Sequence, residues 1–113
     1  MIEKLYAIDR ALNTRFPDGN EPFQIMTRLL EEAGELAEQV NHFEGKGVKR
    51  AKHGKPDKAK LAKEVQDVLR AALHIAMYYG IESDLQWSVD KAYQHAMDEG
   101  LISQPVPAND ARG

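Results

Sequence analysis

Apolar residues recur along this chain at helical spacing in four separate stretches. Ile2, Leu5, Tyr6, Ile8 and Leu12 predict a short amphipathic helix over 2–13. Arg15-Phe16-Pro17-Asp18-Gly19-Asn20 breaks it with Pro and Asp-Gly turn signals. Asn20 is positioned to cap a second helix, with Pro22 in its first turn. That helix is expected from about residue 21 to 43. Its apolar stripe is Phe23, Met26, Leu30, Ala33, Ala37 and Val40, widened by Leu29 and Leu36. Gly45 and Gly47 stop it. A third helix is expected from 57 or 58 to Tyr79, ended by Gly80, with Leu61, Val65, Val68, Ala72, Ile75 and Tyr79 as its core stripe. A fourth begins at Ser83, whose spacing to Gln86 fits a capping box, and ends near Gly100. Leu85, Val89, Ala92, Tyr93, Ala96 and Met97 form its apolar side. No segment predicts a strand. The expected fold is all-α: a four-helix bundle, one domain over 1–100, then an extended tail over 101–113 that carries Pro105 and Pro107.

Two polar pairs interrupt this regularity. Glu32 and Glu35 lie three apart beside the apolar stripe of the second helix, and Glu64 and Asp67 repeat the spacing on the third. Such a pair sits on one helix face, about 5–6 Å apart at Cβ, where like charges repel. If the second and third helices pack antiparallel, four carboxylates converge and need a cation. An all-oxygen donor set suits a hard divalent ion, Mg²⁺ ahead of Mn²⁺. His74 extends the same face of the third helix. Gly34 is unexpected within the second, since a mid-helix glycine costs about 1 kcal/mol against alanine. Close approach of a ligand or a neighbouring helix is the usual reason for one.

Charge sharpens the picture. The chain has 15 basic and 18 acidic residues, yet eight of the basic ones and only one acid, Asp57, fall between Lys46 and Lys63. A basic strap is thus attached to an acidic body. Most of such a segment reads as solvated linker, but Lys46, Lys49 or Arg50 could fold over a phosphorylated ligand. A nucleic-acid module would carry its positive charge on a docking helix, so no nucleic-acid partner is expected. Cysteine is absent, which excludes disulfides and thiolate metal sites. Glu-x-x-His motifs of a di-iron bundle and a glycine-rich phosphate loop are absent as well, and no Ser/His/Asp or Cys/His arrangement has a recognisable local context. The charged N-terminus does not read as a signal peptide, and no uncharged run approaches the ~20 residues of a membrane span. A cytoplasmic protein without a membrane partner is the expectation.

Glu31-Glu32-Ala33-Gly34-Glu35-Leu36 followed by Glu64-Val65-Gln66-Asp67 resembles the Glu-Glu-x-x-Glu … Glu-x-x-Asp signature of the MazG-like, all-α nucleoside triphosphate pyrophosphohydrolases. The resemblance runs from about Phe23 to His95. It implies a MazG-like bundle that hydrolyses NTPs or dNTPs to monophosphate and pyrophosphate with Mg²⁺ and an activated water, often as a nucleotide house-cleaning enzyme. It also implies a homodimer, or a homotetramer of two dimers. By position, Glu32, Glu35, Glu64 and Asp67 match the metal ligands. Glu31 matches the first glutamate of the motif, which helps orient water or hold a second metal in some members, so Glu31 and Glu32 are the catalytic candidates. Arg28 falls where a basic residue often precedes the motif, and Lys91 matches a lysine that points at the phosphates. His95 stands where asparagine is frequent and Asp98 where arginine is frequent; His95, with Phe23, Tyr78, Trp87 or Tyr93, is a candidate for the substrate pocket. The second helix alone is apolar over more than half its circumference, which independently predicts at least a dimer. Two alternatives remain at this point: an enzyme like phosphoribosyl-ATP pyrophosphatase, and a non-catalytic helical interaction module.

Overall fold

The computed structural model describes residues 1–45 and 54–107. Lys46, Gly47, Lys49 and Arg50, and the last part of the expected tail, lie outside the described residues. Among those described, the chain is all-α, with four helices: α1 (Ile2–Arg15), α2 (Pro22–Glu44), α3 (Lys58–Tyr79) and α4 (Glu82–Asp98).

The helix ends follow local chemistry. Glu21, not Asn20, caps α2: its side chain and that of Gln24 form a reciprocal capping box, and Pro22 opens the first turn. Asn20 instead donates its amide to the Phe16 carbonyl at 2.9 Å. Asp57 caps α3 by accepting from the Ala59 amide at 2.8 Å. Gly45 and Gly80 close α2 and α3 with φ of 69° and 64°, the left-handed conformation that a Cβ disfavours. The capping box expected at Ser83 does not form. Ile81 occupies the N-cap, Ser83 falls within the first turn, and the Gln86 amide donates to Asp90.

The most extensive packing joins α2 to α3 in an antiparallel pair. Contacts along it keep one register: the Tyr78 hydroxyl donates to Glu21 at 3.2 Å, and carboxylate oxygens of Glu35 and Glu64 lie within 4.8 Å of each other. On α2 the shielded residues Ile25, Leu29, Glu32, Leu36, Gln39 and Phe43 alternate steps of four and three, the spacing of a coiled-coil seam. Ile25 is fully buried there.

This overturns the expected core stripe of α2. Phe23, Met26, Leu30, Ala33, Ala37 and Val40 are all exposed, Phe23 by 89% and Leu30 by 68%. On α3 the expected stripe divides: Leu61, Val68 and Ile75 are half-buried and Val65, Ala72 and Tyr79 exposed, while Asp67, Ala71 and His74, on the adjoining face that carries Glu64, are buried. The helices meet through the face that carries the carboxylates and turn their most apolar faces outward.

The buried apolar cluster is small: Leu5 and Tyr6 of α1 against Leu73 of α3, with Met77 and Leu85 packed on it. α4 has no buried residue and touches α3 sparingly. An apolar groove of about 780 Å³ between α1, α3 and α4 is lined by Leu5, Leu69, Leu73, Ile81, Leu85 and Val89, among others. The radius of gyration is 17.3 Å, against about 13 Å for a compact chain of this length. After α4, the Val106 amide donates to the Tyr93 hydroxyl at 2.7 Å, which lays the start of the tail along α4.

Candidate functional site

The antiparallel register brings Glu32 and Glu35 of α2 against Glu64 of α3. Carboxylate oxygens from these three residues lie within 4.8 Å of one another. The three-residue step on α2 puts two acids on one face, and the seam supplies the third. Glu32 Oε2 and Glu64 Oε2 are buried without a hydrogen-bond partner. Burial, then the charges of Glu35, Asp67 and Glu64, hold the Glu32 carboxyl above its ordinary range. Burial, then the charges of Glu35 and Asp67, do the same to Glu64, and the close approach of the Glu35 carboxylate adds to the rise. Crowded acids of raised pKa with orphaned oxygens are what a missing positive charge leaves behind. A donor set made only of carboxylate oxygen fits a hard divalent cation.

Asp67, the fourth expected ligand, is buried one turn further along α3 but is already held by cations. Its Oδ2 accepts from Lys63 Nζ at 2.7 Å, and its Oδ1 lies 3.7 Å from Arg70 Nη2. Arg70 reaches the other way as well, donating from Nη1 to Asp9 Oδ1 at 3.2 Å. Asp9, on α1, is 1% exposed, and its Oδ2 has no partner. Burial pushes its carboxyl from 3.8 up to about 6, against the pull of Arg70 and Arg28.

Arg28 sits on α2 one turn before Glu32 and donates to the Gly19 carbonyl at 2.6 Å, pinning the α1–α2 turn. His74 is buried, and its pKa is lowered by burial, then by Arg28 and Arg70, so the ring is neutral at pH 7. It stands apart from the carboxylate triad. Glu31 is exposed beside the triad and outside it. On α4, Lys91 lies over the Trp87 ring at 5.0 Å and His95 pairs with Glu99 at 3.0 Å, so both are engaged within their own helix. Lys46 and Lys49 are among the residues outside the description. Among the described residues, nothing outside the adjoining backbone of α2 comes within 4 Å of a Cβ built on Gly34, so no described neighbouring helix explains that glycine.

The structure therefore assembles Glu32, Glu35 and Glu64, with Asp67 adjoining, and adds three residues that sequence reasoning passed over: Asp9, Lys63 and Arg70. A signal for Asp9 was present. It lies four residues after Leu5 and three after Tyr6, on the apolar face of α1, where a lone acid needs a partner. Arg70, three residues after Asp67, offered none beyond its spacing.

A family model described as the MazG nucleotide pyrophosphohydrolase domain matches residues 20–99, which span α2, α3 and α4. No curated protein and no solved structure shows a significant match to the chain.

Proposed function

We propose, from the premise that the chain belongs to the MazG nucleotide pyrophosphohydrolase family, that it hydrolyses a nucleoside triphosphate to the monophosphate and pyrophosphate with Mg²⁺, for which Mn²⁺ can substitute. The observation that carries this is the Glu32–Glu35–Glu64 triad with its two buried, unpartnered oxygens. Asp67 is the fourth ligand. A divalent ion held there supplies charge stabilisation for phosphate oxygens. The chain's own residues divide the remaining work. Glu32 fixes the cation against α2, and exposed Glu31 beside it orients the water. Arg28, Lys91 and His95, with Lys46 and Lys49 of the basic segment, neutralise and position the phosphates. Phosphoryl-type transfer asks little more of a protein than such positioning. Removal of unwanted nucleotides is the proposed role.

The working unit is a homodimer, or a homotetramer built from it. Phe23 and Leu30 on α2 and Trp87 (65% exposed) and Val89 on α4 present large apolar side chains to solvent. Each such side chain, when buried, stabilises by about 1.5–3 kcal/mol. Sedimentation of the full chain should give a multiple of 12.7 kDa; a stable monomer contradicts this assembly.

The activity is tested by measuring pyrophosphate release from a panel of ordinary and modified NTPs and dNTPs with Mg²⁺. Wild type is compared with Glu64→Gln and Asp67→Asn. Release from one or a few nucleotides, lost in both variants, is expected. No release despite Mg²⁺ binding redirects the search to phosphoribosyl-ATP and related esters. Absence of both activity and Mg²⁺ binding leaves the helical interaction module.

A further inference from the structure

We propose that Asp9 is a positioning residue for the metal site: its unpartnered oxygen is the acceptor that takes Arg70 when Asp67 turns to the cation. The proposal rests on reading the carboxylate cluster as a metal site. Arg70 straddles two acids, with one terminal nitrogen 3.2 Å from Asp9 and the other 3.7 Å from Asp67. The guanidinium is in ion-pair range of Asp67 without a hydrogen bond to it, so a divalent cation taken by Asp67 competes with Arg70 for the same carboxylate and repels it. Lys63, largely exposed, can return to water when Asp67 leaves it. Arg70 is only 24% exposed and has no such escape. It needs a second acceptor within the fold.

Asp9 meets that need. It is a buried carboxylate from a different helix, the one that also carries buried Leu5 and Tyr6, and it already accepts one bond from Arg70. Its Oδ2 is buried and empty. A guanidinium offers paired donors that match both oxygens of a carboxylate. A fork on Asp9 would satisfy Oδ2 and detach Arg70 from Asp67 in one small rotation. α1 thus does more than cover the small core: it carries the acid that draws Arg70 off the metal ligand.

The test is calorimetric Mg²⁺ and Mn²⁺ titration of the full-length chain, without nucleotide, in wild type, Asp9→Asn, Arg70→Met and the double variant. Circular dichroism checks the fold of each. Asp9→Asn should weaken metal binding about five- to tenfold, since Arg70 is then left to Asp67. Arg70→Met should bind at least as tightly as wild type. In the Arg70→Met background, Asp9→Asn should change nothing. A merely structural Asp9, or one acting only through its distant negative charge, would weaken binding equally with and without Arg70, and that result overturns the proposal. So does unchanged affinity in Asp9→Asn. If Asp9→Asn does not fold, Arg70→Met decides: weaker binding than wild type overturns the proposal. A wild type that binds neither ion removes the metal site itself, and the proposal with it.

Discussion

Asp9 makes a prediction about acid stability that runs against the usual behaviour of a buried salt-bridged acid. Were Arg70 to dominate, the Asp9 carboxyl would be depressed, and lowering the pH would strip stability from the fold. Burial wins instead, and the carboxyl rises from 3.8 to about 6. Folded Asp9 then takes its proton before the unfolded chain does, so between pH 6 and 3.8 the folded state binds more protons and this group favours folding increasingly as pH falls. A gap of about two pH units at about 1.36 kcal/mol each amounts to roughly 3 kcal/mol. Between pH 7.5 and 4.5 roughly 2 kcal/mol of it should be recovered, or about 8 °C in Tm for a chain of this size. The perturbation is Asp9→Asn, which cannot titrate. Melts of both proteins without metal, at one fixed protein concentration, give the difference wild type minus variant at each pH. Glu32, Glu64 and His74 titrate in both proteins and largely cancel. Any contact the new amide makes or breaks adds an offset that does not vary with pH. The difference should climb in favour of wild type as the pH drops. A difference that is flat, or that falls, refutes the claim that burial outweighs Arg70.

Mg²⁺ should raise the melting temperature, because a ligand that binds only the folded state adds about 2.7 kcal/mol at a hundredfold excess over Kd. The rise should shrink as pH falls, since Glu32 and Glu64 are held above their ordinary range and protons compete for the same oxygens. Ile25→Ala should cost about 2–5 kcal/mol by urea titration, as it empties a fully buried apolar position of the α2–α3 seam. Leu30→Asp, which alters a side chain 68% exposed in the single chain, should leave helicity intact while moving sedimentation toward the monomer; an unchanged mass would place the interface elsewhere.

The helix boundaries and the acidic pairs were legible because each rests on neighbours a few residues apart. Asp57 and Gly80 bound α3 as their chemistry dictates. Where two capping residues competed, spacing could not choose. Asn20 yields to Glu21 because its amide finds the Phe16 carbonyl, and Ser83 yields to Ile81 as Gln86 turns to Asp90. The face of α2 that packs inward was misread for a deeper reason. Periodicity identifies an apolar stripe but says nothing of whether the same chain or another covers it. In α2 the seam positions include Glu32 and Gln39, while Phe23 and Leu30 face solvent. An acidic seam is a poor adhesive, since its buried carboxylates repel until a cation joins them. The two outward observations then have one cause. A chain that devotes its internal seam to a charged site has few inward positions left for large apolar side chains, and in the proposed homodimer a second copy would supply the burial that the seam lacks. On the proposed reading, site and assembly are linked through this division of faces. Breaking the proposed outer interface should therefore lower the stability of the seam and, with it, the metal affinity of Glu32, Glu35 and Glu64.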